Sequence, residues 1–116
     1  MKREYKLFIK DILNAMKEIE EFVDRMEFDE FCNDDKTRSA VTWQLHIVGE
    51  ATKNIPKEIR TKYKEIPWND MARTRDKISR FYFGINYKIV WKVIKEELPE
   101  IKPKIEQILK ELEGNL

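Results

Sequence analysis

At 116 residues, with 41% apolar and 11% aromatic content, the chain is long enough to enclose one core without disulfide or metal support. Charged residues reach 39% against only 3 Gly and 4 Pro, the composition of helices with heavily charged surfaces. A net charge of +1 excludes a global attraction to nucleic acid, so any RNA contact must rest on a local patch.

Cys32 is the single cysteine, which rules out an intrachain disulfide and favours a reducing, cytoplasmic setting. The charged start Met1-Lys2-Arg3-Glu4 lacks a signal-type apolar core, and no run of ~18 apolar residues exists to cross a membrane. A soluble, single-domain protein over residues 1–116 is expected.

Apolar residues at Tyr5, Ile9, Ile12, Met16, Ile19, Val23 and Met26 step by three and four, predicting one continuous amphipathic helix of about six turns. Phe8, Ala15 and Phe22 widen its stripe. Glu27–Phe31 reads as a short helical turn or loop, after which Asp34 or Asp35 is the candidate N-cap of a second long helix. That helix runs to about Asn54, with Val41, Leu45, Val48, Ala51 and Thr52 on or near one face. Gly49 inside it costs about 1 kcal/mol relative to Ala, which close approach of a neighbouring helix would explain. Pro56 breaks the helix and starts a short one from Lys57 to Tyr63.

Pro67 opens the next helix, in which Trp68, Met71, Ile78 and Tyr82 keep helical spacing. Gly84 suits its C-terminal cap, and Asn86 suits the N-cap of a helix that buries Val90, Trp91 and Ile94. Pro99 punctuates before a last helix carrying Ile101, Ile105, Ile108 and Leu112, with Pro103 implying a kink or a later start. With no strand-like alternation, the fold is expected to be all-α, an antiparallel helical bundle of four to six helices. Trp43, Trp68 and Trp91 are read as core or dimer-interface residues in preference to base-stacking platforms.

One helix breaks its own pattern. The apolar face 71, 75, 78, 82 holds Arg75 at its centre, and a buried unpaired charge is costly. Either Arg75 reaches a carboxylate such as Glu50, or it serves a site. Tyr82, seven residues on, shares its side of the helix, with Ser79 beside them, while Arg73, Lys77 and Arg80 form a neighbouring basic stripe. A lone His46 with no cysteine cluster offers no transition-metal site, and no glycine-rich phosphate loop is present. No cofactor is therefore expected.

The run Arg75-Asp76-Lys77-Ile78-Ser79-Arg80-Phe81-Tyr82-Phe83-Gly84 resembles the Arg-(polar)-x-x-x-His-x-Tyr signature of HepT-type toxins of the HEPN superfamily. So do Ile85-Asn86-Tyr87-Lys88-Ile89-Val90-Trp91, the step Val48-Gly49-Glu50-Ala51 where that family usually reads Ile-Gly-Glu-Ala, the opening Tyr5–Leu13, and Ile66-Pro67-Trp68. The likeness covers about residues 4 to 112. It implies a homodimer whose paired motif helices form a metal-independent ribonuclease site, working beside a minimal nucleotidyltransferase antitoxin. It further implies that Arg75 stabilises charge developing on the scissile phosphate, that Asp76 fills the polar position, and that Tyr82 is the adenylylation candidate.

The motif histidine is replaced here by Arg80, which stays protonated at any working pH and cannot act as a general base. Upstream, Trp43-Gln44-Leu45-His46 stands where the family often has Arg-Asn-Leu-Glu. Three readings follow: an active ribonuclease using His46 or a water for proton transfer, a non-catalytic HEPN protein that binds its partner with or without RNA, and a purely structural helical dimer. Loss of the general base favours the second.

Overall fold

The computed structural model describes residues 2–80 and 86–114, with side chains described for 5–74 and 86–114. Its elements are α1 (Lys2–Phe22), α2 (Phe28–Cys32), α3 (Asp35–Lys53), α4 (Lys57–Lys62), α5 (Trp68–Arg80), α6 (Tyr87–Lys92), a π-helical turn (Val93–Glu97) and α7 (Leu98–Gly114). Because α6, the π turn and α7 form one uninterrupted rod, these elements make six rods and contain no strand among the described residues, an all-α bundle as the periodicity predicts.

The α1 stripe is the backbone of the core. Ile9, Ile12, Met16 and Ile19 are fully buried, and α1 packs against both α3 and α7. Lys6 pairs with Glu113 at 3.9 Å and Lys102 with Glu20 at 2.8 Å, so the start of α1 meets the end of α7 and the two run antiparallel. From α3 come Val41, Leu45, Val48 and Ala51; from the C-terminal rod come Val90, Ile94, Leu98, Ile101, Ile105 and Ile108, all in one buried cluster. Gly49 is buried on α3, and Thr52, also buried, returns its hydroxyl to the Val48 carbonyl at 2.6 Å.

Helix α1 stops at Phe22, earlier than the stripe implies. Arg25 takes the left-handed conformation (φ 63°), which costs a residue bearing Cβ roughly 1 kcal/mol and reverses the chain. The turn returns Met26 to the core as a half-buried residue, so the apolar spacing persists beyond the helix that explains it. The ambiguous Glu27–Phe31 stretch is helical: the Glu27 and Glu30 side chains satisfy each other's backbone amides in a capping box. Phe31 is fully buried, edge-on to Tyr87 (centroids 6.0 Å apart) and tilted against Trp91 (5.0 Å). Trp91, expected in the core, is only half-buried; its ring closes over Phe28 and Phe31 while Lys95 covers it at 4.9 Å.

Asp34 is the N-cap of α3, accepting from the Thr37 amide at 3.0 Å and the Thr37 hydroxyl at 2.7 Å. Asn86 caps α6 by accepting from the Lys88 and Ile89 amides. Arg38 joins these two beginnings: it donates to the Cys32 carbonyl, pairs with Asp35, and lies 4.8 Å over the Tyr87 ring. Pro99 does not end a helix. The wide turn before it, with the Leu98 amide bonded to the Val93 carbonyl, relieves the clash a proline ring makes with the carbonyl four residues back. Pro103 then lies inside α7, which begins ahead of both prolines. Gly84, the expected cap of α5, lies outside the described residues.

Two outcomes follow. Phe31→Ala should cost about 3–5 kcal/mol in chemical denaturation, because it empties the point where α2, α3 and α6 meet. The Thr37 amide and hydroxyl hold the Asp34 carboxyl below its usual pKa, so its contribution is complete above the ordinary aspartate pKa and is lost as pH falls through the depressed folded value. Thermal midpoints of the parent and Asp34→Ala should therefore differ at neutral pH and converge in acid.

Candidate functional site

Helix α5 begins where local geometry compels it. The Trp68 amide donates to the Ile66 carbonyl at 2.8 Å and the Met71 amide to the Pro67 carbonyl at 3.0 Å, while Trp68 and Met71 are themselves buried. The Trp68 indole donates to the Tyr63 carbonyl at 3.1 Å. The Tyr63 hydroxyl in turn donates to the Glu111 carboxylate, tying the approach to α5 onto α7. Burial first, and Glu111 second, push the Tyr63 phenol up to about 12, while the same hydrogen bond holds Glu111 below its ordinary value.

Arg60 stands between the end of α3 and the start of α5. Its guanidinium donates to the carbonyls of Thr52 at 2.7 Å, in the last turn of α3, and Ile55 at 3.2 Å, just beyond it, and it also lines a groove with the first residues of α5. The end of α3 and the start of α5 therefore lie together, and the two packed helices run antiparallel. Seven residues into α5 reaches Arg75; seven back from Thr52 reaches Leu45, each about 10 Å along its axis. By register, the Arg75–Arg80 stretch lies alongside the part of α3 that carries His46 and Trp43.

Helix α5 extends through Arg80, which fixes the angular relations of the predicted residues. Ser79 is one turn from Arg75. Arg80, five positions on, is about 140° around the axis, within the stripe of Arg73 and Lys77. Asp76 lies between the two stripes. Tyr82 lies outside the described residues.

On α3, Glu50 and His46 are one turn apart and both half-buried. His46 stacks on Trp43, with ring centroids 5.4 Å apart and planes inclined by 19°. Trp43 is 61% exposed, whereas Trp68 is 5% exposed, so of the two expected places, core or dimer interface, Trp68 takes the core and Trp43 keeps only the interface. The reason is angular: Trp43 occupies the stripe of His46 and Glu50, displaced from Val41, Leu45 and Val48. The Trp43–His46 stack was not legible beforehand, since i,i+3 spacing puts rings within reach without specifying contact.

Also unforeseen is the groove of about 630 Å³ beside the start of α5, bordered by Arg60, Thr61, Lys64, Asn69, Asp70 and Arg73 over a floor that includes Ile66 and Trp68. No sequence spacing announces it, because its cations come from α4, a loop and α5. No group of three or more His, Cys, Asp or Glu side chains suited to a metal occurs among the described residues. Nor is any helix among them long and apolar enough to cross a membrane.

A family model described as "Ribonuclease HepT-like" matches residues 12–108. Two Methanocaldococcus jannaschii proteins with provisional RNase names are 45% and 46% identical over 113 residues, 97% of this chain and 93% of each relative. A Thermococcus cleftensis protein provisionally named ribonuclease HepT is 44% identical over 110 residues, 95% of this chain and 100% of the relative. No solved structure matches the chain. The contrast between the tryptophans is measurable: Trp43→Ala should change folding stability by no more than about 0.5 kcal/mol, and Trp68→Ala should cost about 3–5 kcal/mol.

Proposed function

Since the chain belongs to the HepT-like ribonuclease family, we propose that it is a HepT-type toxin component whose RNA-cleaving step is weakened or lost while its capacity to hold RNA is kept. The observation that carries this reading is Arg80 at the position of the motif histidine, in a helix intact through that residue. A guanidinium cannot accept a proton at working pH but binds phosphate well, so charge stabilisation survives where proton transfer does not. In this reading two copies pair their α5 helices. Arg75 of each stabilises the scissile phosphate, and Asp76 and Ser79 supply polar contacts around it.

A minimal nucleotidyltransferase is the partner this assignment calls for, with Tyr82 as the hydroxyl that accepts adenylate and a cytoplasmic setting for both. No cofactor or metal is required by the proposed chemistry. Glu50 and His46 are supporting residues on α3, at the level of α5 where the motif runs.

A second reading has one observation in its favour. His46 is the chain's only imidazole and, by helix register, sits at about the level of Arg75. Proton transfer by His46 would leave an active ribonuclease with a displaced base. Its stack on Trp43 gives it a packing role as well, which favours the weakened enzyme.

The deciding measurement is RNA cleavage by the purified protein beside Arg80→His under identical conditions. The parent is expected to be slower than the variant by ~10²–10⁴, the usual contribution of a general acid or base. Arg75→Ala in the Arg80→His background should abolish the gain. A parent that cuts as fast as the variant, and stops cutting on His46→Ala, would establish the second reading instead.

A further inference from the structure

We propose that the groove beside the start of α5 is an RNA-backbone channel, its cations continuing the stripe that ends at Arg80, so that single-stranded RNA is held on the flank of the motif helix as well as at the motif. This rests on the reading of the chain as an RNA-holding protein and adds the surface that does the holding.

Three cations, Arg60, Lys64 and Arg73, border the groove against one carboxylate, Asp70. Lys64 and Arg73 are exposed, so they keep their charge in water and can exchange counterions for phosphate. Arg60 is half-buried and held by two carbonyl bonds, which use two of its five N–H donors and fix the guanidinium in place. Thr61 and Asn69 add neutral polar groups of the kind that bond phosphate and ribose oxygens. The Trp68 ring is buried and its N–H is committed to Tyr63, so the floor offers no stacking platform. The contacts are therefore to the backbone, without base preference.

Continuity with the motif comes from register. Positions 73, 77 and 80 share one stripe of α5, and Arg73 opens it at the groove. Arg73 and Arg80 are seven residues apart, about 10 Å along the axis. With a net charge of only +1, the molecule attracts polyanions through such local concentrations of charge or not at all. A concave, open groove of about 630 Å³ leading into that stripe suits a chain of phosphates better than the broad face of an acidic protein.

The test measures binding of a fluorescein-labelled oligouridine of about 12 nucleotides to the full chain by anisotropy, between about 50 and 200 mM salt. Lys64→Glu/Arg73→Glu is compared with the control Lys17→Glu/Lys110→Glu, whose exposed lysines lie on α1 and α7. Each double variant loses four charges, so both go from +1 to −3 and differ only in where the change is made. The groove variant should bind at least tenfold more weakly, and its log–log salt slope should flatten by about 1.4, the value for two lost phosphate contacts on a single strand. The control should stay within about threefold of the parent. Thermal unfolding checks that both fold, and Lys64→Gln/Arg73→Gln replaces the charge reversal if it does not.

Equal affinities for the groove variant and the control would overturn the channel. If Arg75→Ala then still abolished binding, the RNA-holding reading would survive without it. Absence of binding by the parent at low salt would overturn both. Loss of poly-glutamate binding in the groove variant with RNA binding unchanged would assign the groove to an acidic protein partner and likewise overturn the proposal.

Discussion

The carbonyl groups at the end of α3 need donors, and Arg60 adds one to those that the Asn54 side chain and the amides of Asn54 and Ile55 supply. By bonding Thr52 and Ile55 it ties the short α4 to the end of α3, and the same side chain borders the groove at the start of α5. Three elements thus meet at one guanidinium, where the chain turns from α3 towards α5, and α3 and α5 pack against each other. Without it α4 would lose its side-chain bonds to that end. The Tyr63–Glu111 bond and the Trp68 indole complete the arrangement by fixing the loop between α4 and α5 to α7.

Much of this was legible in the sequence where the cause is local. Asp34 and Asn86 cap the helices they were expected to cap, because their short side chains reach amides only two or three residues away. The α1 stripe was readable for the same reason, until Arg25 reversed the chain and left Met26 in phase with a helix it does not belong to. Pro99 misled because its effect depends on the width of the preceding turn. Trp43 could not be assigned between core and interface, because helical spacing tells which residues share a stripe but not which stripe a neighbour covers. Arg38, which links α2, α3 and α6 through a carbonyl, a carboxylate and an aromatic face, has partners up to 49 positions apart in sequence and no local signature.

The candidate site divides along the same line. Its motif is contiguous, so Arg75, Asp76, Ser79 and Arg80 could be nominated before any fold was known. The helix adds the angle between them. Arg75 and Arg80 fall on different stripes of α5, one continuing Met71 and Ile78, the other continuing Arg73 and Lys77. Position 80 holds an arginine, so the row of positions 73, 77 and 80 is cationic throughout and carries no imidazole.

The π turn at Val93–Glu97 has an implication for how the C-terminal half tolerates change. A π turn arises when an α-helix accommodates one surplus residue without unwinding, and the surplus here sits between the aromatic anchor at Tyr87 and Trp91 and the isoleucine rows of α7. Removing a single residue from the turn would restore ordinary helical pitch and leave everything downstream close to its present phase, whereas the same deletion inside α7 would rotate the residues beyond it by about 100°. Ile101, Ile105 and Ile108 would still face α1 after the first change, and the Lys102–Glu20 and Lys6–Glu113 pairs would stay near their present alignment. The turn is therefore the place in the rod where chain length can change by one residue at least cost to the packing.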